Sequence, residues 1–163
     1  MIRLAKEADV AQIMSIVDEV IMEMHARGSE QWSKDYPTSK DFKRDIAKQE
    51  LYVYEEDNQV VGMCTLSEKG HEEYRLIPFT TSQALTIKRL AICKCYRHQG
   101  VSEQFITFAT ALAHKKKKEA LNGDTFKNNL AAQRFFLRHD FSFIAERPND
   151  CDDVPLYYYE RRI

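Results

Sequence analysis

No stretch of this chain approaches the roughly 18 consecutive apolar residues of a membrane span. Its opening, MIRLAKEADV, lacks the apolar core of a secretory signal. Neither charge sign dominates: 24 Lys and Arg stand against 25 Asp and Glu, a net charge of -1. A general nucleic-acid binder is usually basic, so that class is set aside. A cytoplasmic protein with neither membrane nor nucleic acid as partner is the expectation. None of the four cysteines, Cys64, Cys93, Cys95 and Cys151, forms a C-x-x-C pair, so spacing supports no zinc site and no metal is expected. Cys93 and Cys95 lie two apart at the end of an expected strand and would share a face if it continued. Reduced, buried or half-buried thiols are the simpler reading. Neither G-x-G-x-x-G nor G-x-x-x-x-G-K-[ST] occurs, which removes two common nucleotide-binding fingerprints. Internal repeats and domain linkers are also missing, so residues 1–163 read as a single domain.

What is present suits a globular core, with 44% apolar and 30% charged residues. Ile2–Leu4 reads as a short strand. Asp9 is expected to cap a helix with Gln12 as its capping-box partner, and Val10, Ile13, Val17, Val20 and Met24 form the apolar stripe. Gly28 suits the stop. A second helix begins near Thr38 or Ser39, with Phe42 and Ile46 inward, and Trp32 reads as a core anchor between the two. Leu51–Glu56 and Gln59–Glu68 are strands about an Asp57-Asn58 hairpin turn. A long polar loop runs from Lys69 to about Ser82, a length often tied to function. Ala84–Cys93 is a strand, Val101–Lys118 a helix, Leu121–Phe126 a strand and Asn129–His139 a helix. Phe141–Glu146 and Val154–Glu160 close the chain as strands around a polar turn carrying Asp150, Asp152 and Asp153. The order β-α-α-β-β-β-α-β-α-β-β gives an α/β mixed sheet with helices on its faces.

The densest signal is RLAICKCYRHQGVS, Arg89–Ser102, followed at once by the amphipathic run of the next helix. It reads as strand, loop and helix N-terminus, with Arg97, Gly100 and Ser102 in the pattern R-x-x-G-x-S. Unpaired N–H groups and the positive dipole end favour an anion there, and the glycine lets backbone come close to it. The basic run Lys115–Lys118 ends a helix, where cations offset the dipole and cover apolar surface.

These residues, with DTFKNNLAAQRFFLRHDF further on, resemble the GNAT superfamily of acetyl-CoA-dependent N-acetyltransferases. The first region looks like its strand and Q/R-x-x-G-x-G/A loop, the second like its later strand–helix–strand segment, often ending in Tyr-x-x-x-Gly-Phe. The resemblance implies a GNAT-like fold: a mostly antiparallel twisted sheet, helices on both faces and a splayed parallel strand pair. It implies acetyl-CoA as co-substrate, CoA as product, an amine acceptor and, as in many such proteins, room for a homodimer. Carried over by residue, Leu90, Ala91 and Ile92 would face the acetyl and pantetheine arm. Arg97, His98, Gln99, Gly100, Val101 and Ser102 would hold the pyrophosphate. Asn129 would lie near the cofactor, and Phe136 stands where many members carry a Tyr general acid. Ser102, Lys94 and Asp140 replace the usual Gly or Ala, Pro, and Gly.

The chemistry sets the remaining candidates. A backbone N–H near Ala91–Ile92, freed by a bulge, would meet the oxyanion. An α-amino acceptor of pKa about 8 needs almost no base, a lysine-like amine near 10.4 needs more, and a thiolate of pKa near 8.5 leaves with little help. By resemblance Asp124 matches a carboxylate base of some members; a sheet-surface carboxylate is the alternative. Glu68, His71, Glu72 and Glu73 are further bases or plain loop residues. Among Tyr157, Tyr158 and Tyr159, Tyr158 is the expected substitute acid, against a packing role. Because Phe136 has no proton to give, a non-catalytic acyl-CoA-binding or sensing module stays as the alternative function.

Overall fold

A computed structural model describes Met1–Ile163. Its elements are β1 (Ile2–Leu4), α1 (Val10–Ala26), α2 (Ser39–Ala47), β2 (Leu51–Glu56), β3 (Gln59–Ser67), β4 (Ala84–Ile92), α3 (Val101–Lys115), β5 (Ala120–Phe126), α4 (Leu130–Arg138), β6 (Ser142–Arg147) and β7 (Leu156–Arg162). This is the expected order. The chain divides into two compact units, Met1–Leu66 with Ile87–Phe108, and Ser67–Thr86 with Ala109–Ile163.

In the first unit β1 pairs antiparallel with β2, and β2 with β3. Asp57 and Asn58 both take positive φ, 50° and 62°, as a two-residue hairpin turn between right-twisted strands demands. Strand alternation then sorts β2 into two faces. Leu51 and Val53 point toward Ile13, Ile16 and Val17 of α1 and Phe42 of α2, with Trp32 in the same buried cluster. Tyr52 and Tyr54 point the other way, against Phe108 and Phe105 of α3. Helices therefore cover both faces. Gly62 of β3 belongs to this packing: a Cβ there would come 3.2 Å from both the Ala91 carbonyl and the Phe105 ring.

The start of α1 departs from expectation. Asp9 makes no side-chain cap at Val10. It closes a preceding 3-10 turn, where its carboxylate accepts from the Lys6 N–H at 2.7 Å and from both Arg3 nitrogens at 2.9 and 3.0 Å. The Arg3 guanidinium holds its carboxyl below the usual carboxylate range. Gln12 is no capping partner either: its amide oxygen accepts from the Val60 N–H at 2.8 Å, tying α1 to β3. Helix periodicity located α1, but the polar residues at its start are spent on tertiary contacts.

In the second unit β4 contributes Ala84–Thr86, parallel to Ala120–Asn122 of β5, and the parallel ladder ends after those three pairs. Antiparallel β5–β7 and β6–β7 pairs complete it. Tyr157 and Tyr159 face one side, meeting Phe143 of β6 and, for Tyr159, Phe136 of α4. Tyr158 faces the other, packed with Tyr74 and Phe79 of the 68–83 connection. That connection is not plain loop: Glu72–Leu76 form a 3-10 turn. Its far end is pinned where the buried Glu160 carboxylate accepts from the Thr80 N–H and hydroxyl, the latter at 2.7 Å.

Element ends shift for local reasons. α3 stops at Lys115 because Lys117 turns left-handed, φ 57°, and the Lys118 N–H reaches back to Ala113 O. Lys116 and Lys118 then pair with Glu68 at 2.8 and 3.3 Å. β7 starts at Leu156 because the Val154 N–H is taken by Asp152 in the preceding turn. β4 ends at Ile92, so Cys93 and Cys95 share no strand face; all four cysteines are free thiols.

α4 ends the same way as α3: Asp140 has φ 64°, the Asp140 N–H bonds Leu137 O at 3.2 Å, and the Phe141 N–H bonds Phe136 O at 2.9 Å. Glycine takes this backbone without a Cβ penalty, and an acidic side chain opposes the dipole at a helix C-terminus. Asp140→Gly is therefore expected to stabilise the protein by about 0.5–1 kcal/mol, a rise of roughly 1–4 °C in Tm by calorimetry. A lower Tm would contradict this account of the α4 terminus.

Candidate active site

The phosphate-loop candidate lies in the first unit. β4 gives way at Cys93 to a single 3-10 turn, Lys94–Tyr96, then to Arg97–Gly100 and the start of α3. His98 and Gly100 both take positive φ, 61° and 81°. A Cβ on Gly100 would meet nothing within 4 Å, so conformation and not space calls for glycine here. Gln104 is the first α3 residue to bond back, to Gly100 O at 3.0 Å. Helix geometry leaves the N–H groups before it without an acceptor inside α3. Left-handed residues just ahead of a helix start produce a concave set of N–H donors, an anion cradle. Val101 is buried and roots the helix, Ser102 is half-buried with its hydroxyl 3.0 Å from the Glu103 carboxylate, and His98 and Gln99 are exposed.

Arg97 behaves differently from its neighbours. Its guanidinium pairs with Glu23 of α1, and its Nε donates to Ile92 O at 3.0 Å. The Arg97 charge and hydrogen bond hold the Glu23 carboxyl below its ordinary range. The side chain thus ties the loop to α1 and to the end of β4. The sequence offered no signal for Glu23, because ion-pair partners from separate elements follow no spacing rule.

Leu90, Ala91 and Ile92 are the last three residues of β4, with Ala91 buried and its neighbours half-buried. The residue before them, Arg89, is left-handed with φ 49°. The Cys93 N–H pairs with Val61 O on β3 at 2.8 Å. By alternation the N–H of Ile92 points to the opposite edge of β4.

The second unit holds the other candidates. Asp124 lies opposite Tyr158 in the β5–β7 register, so both project to one face. Asp124 Oδ1 accepts the Tyr74 hydroxyl at 2.5 Å, and His71 Nε2 lies 3.8 Å from the same oxygen. Burial, then the Asp124 charge, pushes the Tyr74 hydroxyl well above the usual tyrosine value. Tyr74 is thus a fixed donor and Asp124 its acceptor. Tyr158 is fully buried, stands edge-on to Tyr74 at 5.6 Å, and donates to Glu73 at 3.3 Å. Its hydroxyl is raised too, by burial first and the Glu73 charge second. Such a phenol donates a hydrogen bond readily and gives up its proton reluctantly. A hollow of about 180 Å³ lies alongside, lined by Glu72, Glu73, Arg75, Leu76, Arg147 and Asp150.

Asn129 is buried and caps α4, its Oδ1 accepting the Ala132 N–H at 3.2 Å. Phe136 is buried, stacked on Tyr159 with ring centres 4.7 Å apart and planes within 10°. Glu68 is an exposed partner of two lysines. Asp152 closes an exposed turn, and Asp150 pairs with Arg147 at 3.2 Å. No group of three or more His, Cys, Asp or Glu side chains is placed to hold a metal, and no helix is long and apolar enough to cross a membrane. Tyr74 was missed in the sequence because it lies in a polar connection outside any motif; a lone large aromatic there was the available clue.

Removal of the Tyr74 hydroxyl isolates its effect on Asp124. Tyr74→Phe leaves the half-buried carboxylate short of that donor and is expected to cost about 1–3 kcal/mol of unfolding free energy. Urea denaturation reads this as a lower midpoint at unchanged slope. A midpoint equal to that of the parent would mean that the bond carries no weight in solution.

Known proteins share this fold. The family model for the acetyltransferase (GNAT) domain matches residues 47–143, more than half of the chain. The structure superposes on an acetyltransferase of the GNAT family from Streptococcus agalactiae with a TM-score of 0.85 at 26% identity, covering 100% of this chain and 95% of that one. A Staphylococcus aureus Mu50 protein solved as a candidate acetyltransferase gives 0.77 at 27% identity, covering 99% and 98%. A Salmonella typhimurium protein solved with its cofactor acetyl-CoA gives 0.68 at 16% identity over 99% and 92%, a likeness of fold. No curated protein matches the chain by sequence. The chain belongs to the GNAT family of acetyltransferases, enzymes whose co-substrate is acetyl-CoA.

Proposed function

We propose that this protein transfers the acetyl group of acetyl-CoA to the primary amine of a small molecule by direct attack, and that residues 1–163 act as one catalytic domain. The observation that carries the reading is the loop before α3: His98 and Gly100, both left-handed, lead into a fifteen-residue helix whose first N–H groups have no acceptor within it. The pyrophosphate of the donor is assigned to the backbone of His98, Gln99, Gly100, Val101 and Ser102. Arg97 contributes by holding that backbone, since its guanidinium already serves Glu23 and Ile92 O. Leu90, Ala91 and Ile92 are assigned to the pantetheine arm and the thioester, with the outward N–H of Ile92 as oxyanion donor. Asn129 and Phe136 keep their place as cofactor-proximal residues by family resemblance, one as a helix cap and one as a packed wall.

Asp124 is proposed as the base that takes the amine proton, with Tyr74 fixing its carboxylate. Tyr158 suits the support of Glu73 better than proton delivery, because burial holds its proton firmly. The CoA thiol, with a reference pKa near 8.5, leaves as thiolate with little assistance. Phe136 in place of a tyrosine acid is then no obstacle to the reaction. The 180 Å³ hollow beside Glu73 suits a compact amine; its three carboxylates outnumber Arg75 and Arg147, of which Arg147 pairs with Asp150. The cytoplasm is assigned as the compartment, where acetyl-CoA is available and four unpaired thiols stay reduced.

Two measurements check this reading. Purified protein given acetyl-CoA and a panel of small amines and amino-terminal peptides is expected to release free thiol fastest with a small amine. No release above background with any acceptor contradicts it. Gly100→Val forces a branched side chain into φ 81° and crowds the cradle. Acetyl-CoA affinity is expected to fall at least tenfold with the fold retained by circular dichroism; unchanged affinity would remove the loop from the site.

A further inference from the structure

Arg89 is the one left-handed residue inside β4, and three nitrogens of its side chain are hydrogen-bonded. Its Nε and Nη2 donate to the two oxygens of Asp45 on α2, at 2.7 and 2.8 Å, a bidentate pair. Asp45 is only 3% exposed, and its Oδ2 also accepts the Thr65 hydroxyl of β3 at 2.7 Å. The remaining fork nitrogen, Nη1, donates to the Tyr36 hydroxyl at 2.9 Å. One guanidinium therefore joins β4, α2, β3 and the segment ahead of α2.

The other end of the same segment is also held. Arg97 Nε binds Ile92 O, and the Cys93 N–H binds Val61 O. Gly62 lies so close that a Cβ would press the Ala91 carbonyl at 3.2 Å. Leu90–Ile92 is thus a short backbone piece fixed at both ends and backed along its length. A left-handed residue in a strand turns the peptide planes that follow it. The conformation of Arg89 consequently sets where the N–H groups of Leu90 and Ile92 aim.

We propose that Arg89 and Asp45 are positioning residues for acetyl transfer: their buried clasp keeps the β4 backbone left-handed at Arg89 and so aims the Leu90–Ile92 amides at the thioester oxygen. The inference rests on the function proposed above. It places part of the control of turnover on α2, through a side chain that touches neither substrate.

The test exploits the conformational freedom of glycine. Arg89→Ala removes the clasp and keeps the steric resistance to positive φ; Arg89→Gly removes the clasp and the resistance together. Steady-state kinetics are expected to show kcat at least tenfold below the parent for Ala, and at least fivefold recovered from that level by Gly, with KM for acetyl-CoA within twofold throughout. Equal loss in both variants, or a rise in KM with kcat kept, overturns the proposal. If Arg89→Ala does not fold, Asp45→Asn carries the test: its kcat is expected to fall tenfold at constant KM, and an unchanged kcat overturns the proposal. A second readout needs no turnover. Acetyl-CoA added to isotope-labelled protein is expected to shift the Leu90 and Ile92 amide resonances in the parent and to shift them less in Asp45→Asn. Identical shifts in both overturn the clasp while leaving the acetyltransferase reading intact. Absence of acetyl-CoA binding to the parent contradicts the proposed function and takes this inference with it.

Discussion

A non-glycine residue in left-handed backbone costs about 1–2 kcal/mol, so it persists only where something holds it. In β4 that holder is the buried pair of Arg89 and Asp45, with Thr65 and Tyr36 completing the hydrogen bonds. Breaking a buried pair from one side leaves an uncompensated charge, a penalty of about 3–5 kcal/mol that exceeds the strain. The direction of the β4 backbone therefore follows from a side-chain interaction between α2 and β4. Gly62 permits the close packing that results, and Arg97 fastens the strand's end.

The same logic runs through the loop that follows. A phosphate group could be met by a free arginine or by backbone N–H groups. Here the arginine is committed to Glu23, and the N–H groups of a helix start lie next to two left-handed residues. In the proposed site, affinity for the anion then derives from backbone placement, which a single glycine and one ion pair secure. In the second unit a parallel design holds a carboxylate. Tyr74 fixes Asp124 and Tyr158 fixes Glu73, each phenol kept protonated by burial beside a negative charge. With Asp124 as the proposed base, a carboxylate fixed in this way and a thiolate that needs no acid together suit amine acetylation.

The fold was largely legible because its signals are local. Apolar period located α1, alternation located β2 and β3, and Asp57-Asn58 and Gly28 announced turns that need positive φ. The turn in the R-x-x-G-x-S loop was legible for the same reason: Gly100 announced a left-handed backbone ahead of α3. Side-chain partnerships were not. Nothing in the spacing links Gln12 to Val60, Glu23 to Arg97 or Asp45 to Arg89, residues 48, 74 and 44 positions apart. Polar residues near a helix start look like caps, and only tertiary structure shows that Asp9 and Gln12 are used elsewhere. Tyr74 escaped notice because a polar stretch reads as loop, whereas a short 3-10 turn carries the phenol to Asp124.

The most direct test of the central claim is a calorimetric titration of the purified protein with acetyl-CoA, CoA and ATP in parallel. Saturable one-to-one binding of acetyl-CoA and CoA, with no heat from ATP at equal concentration, is the result this account predicts. A folded sample that binds neither CoA species would contradict it, because the cradle ahead of α3 would then be only a turn.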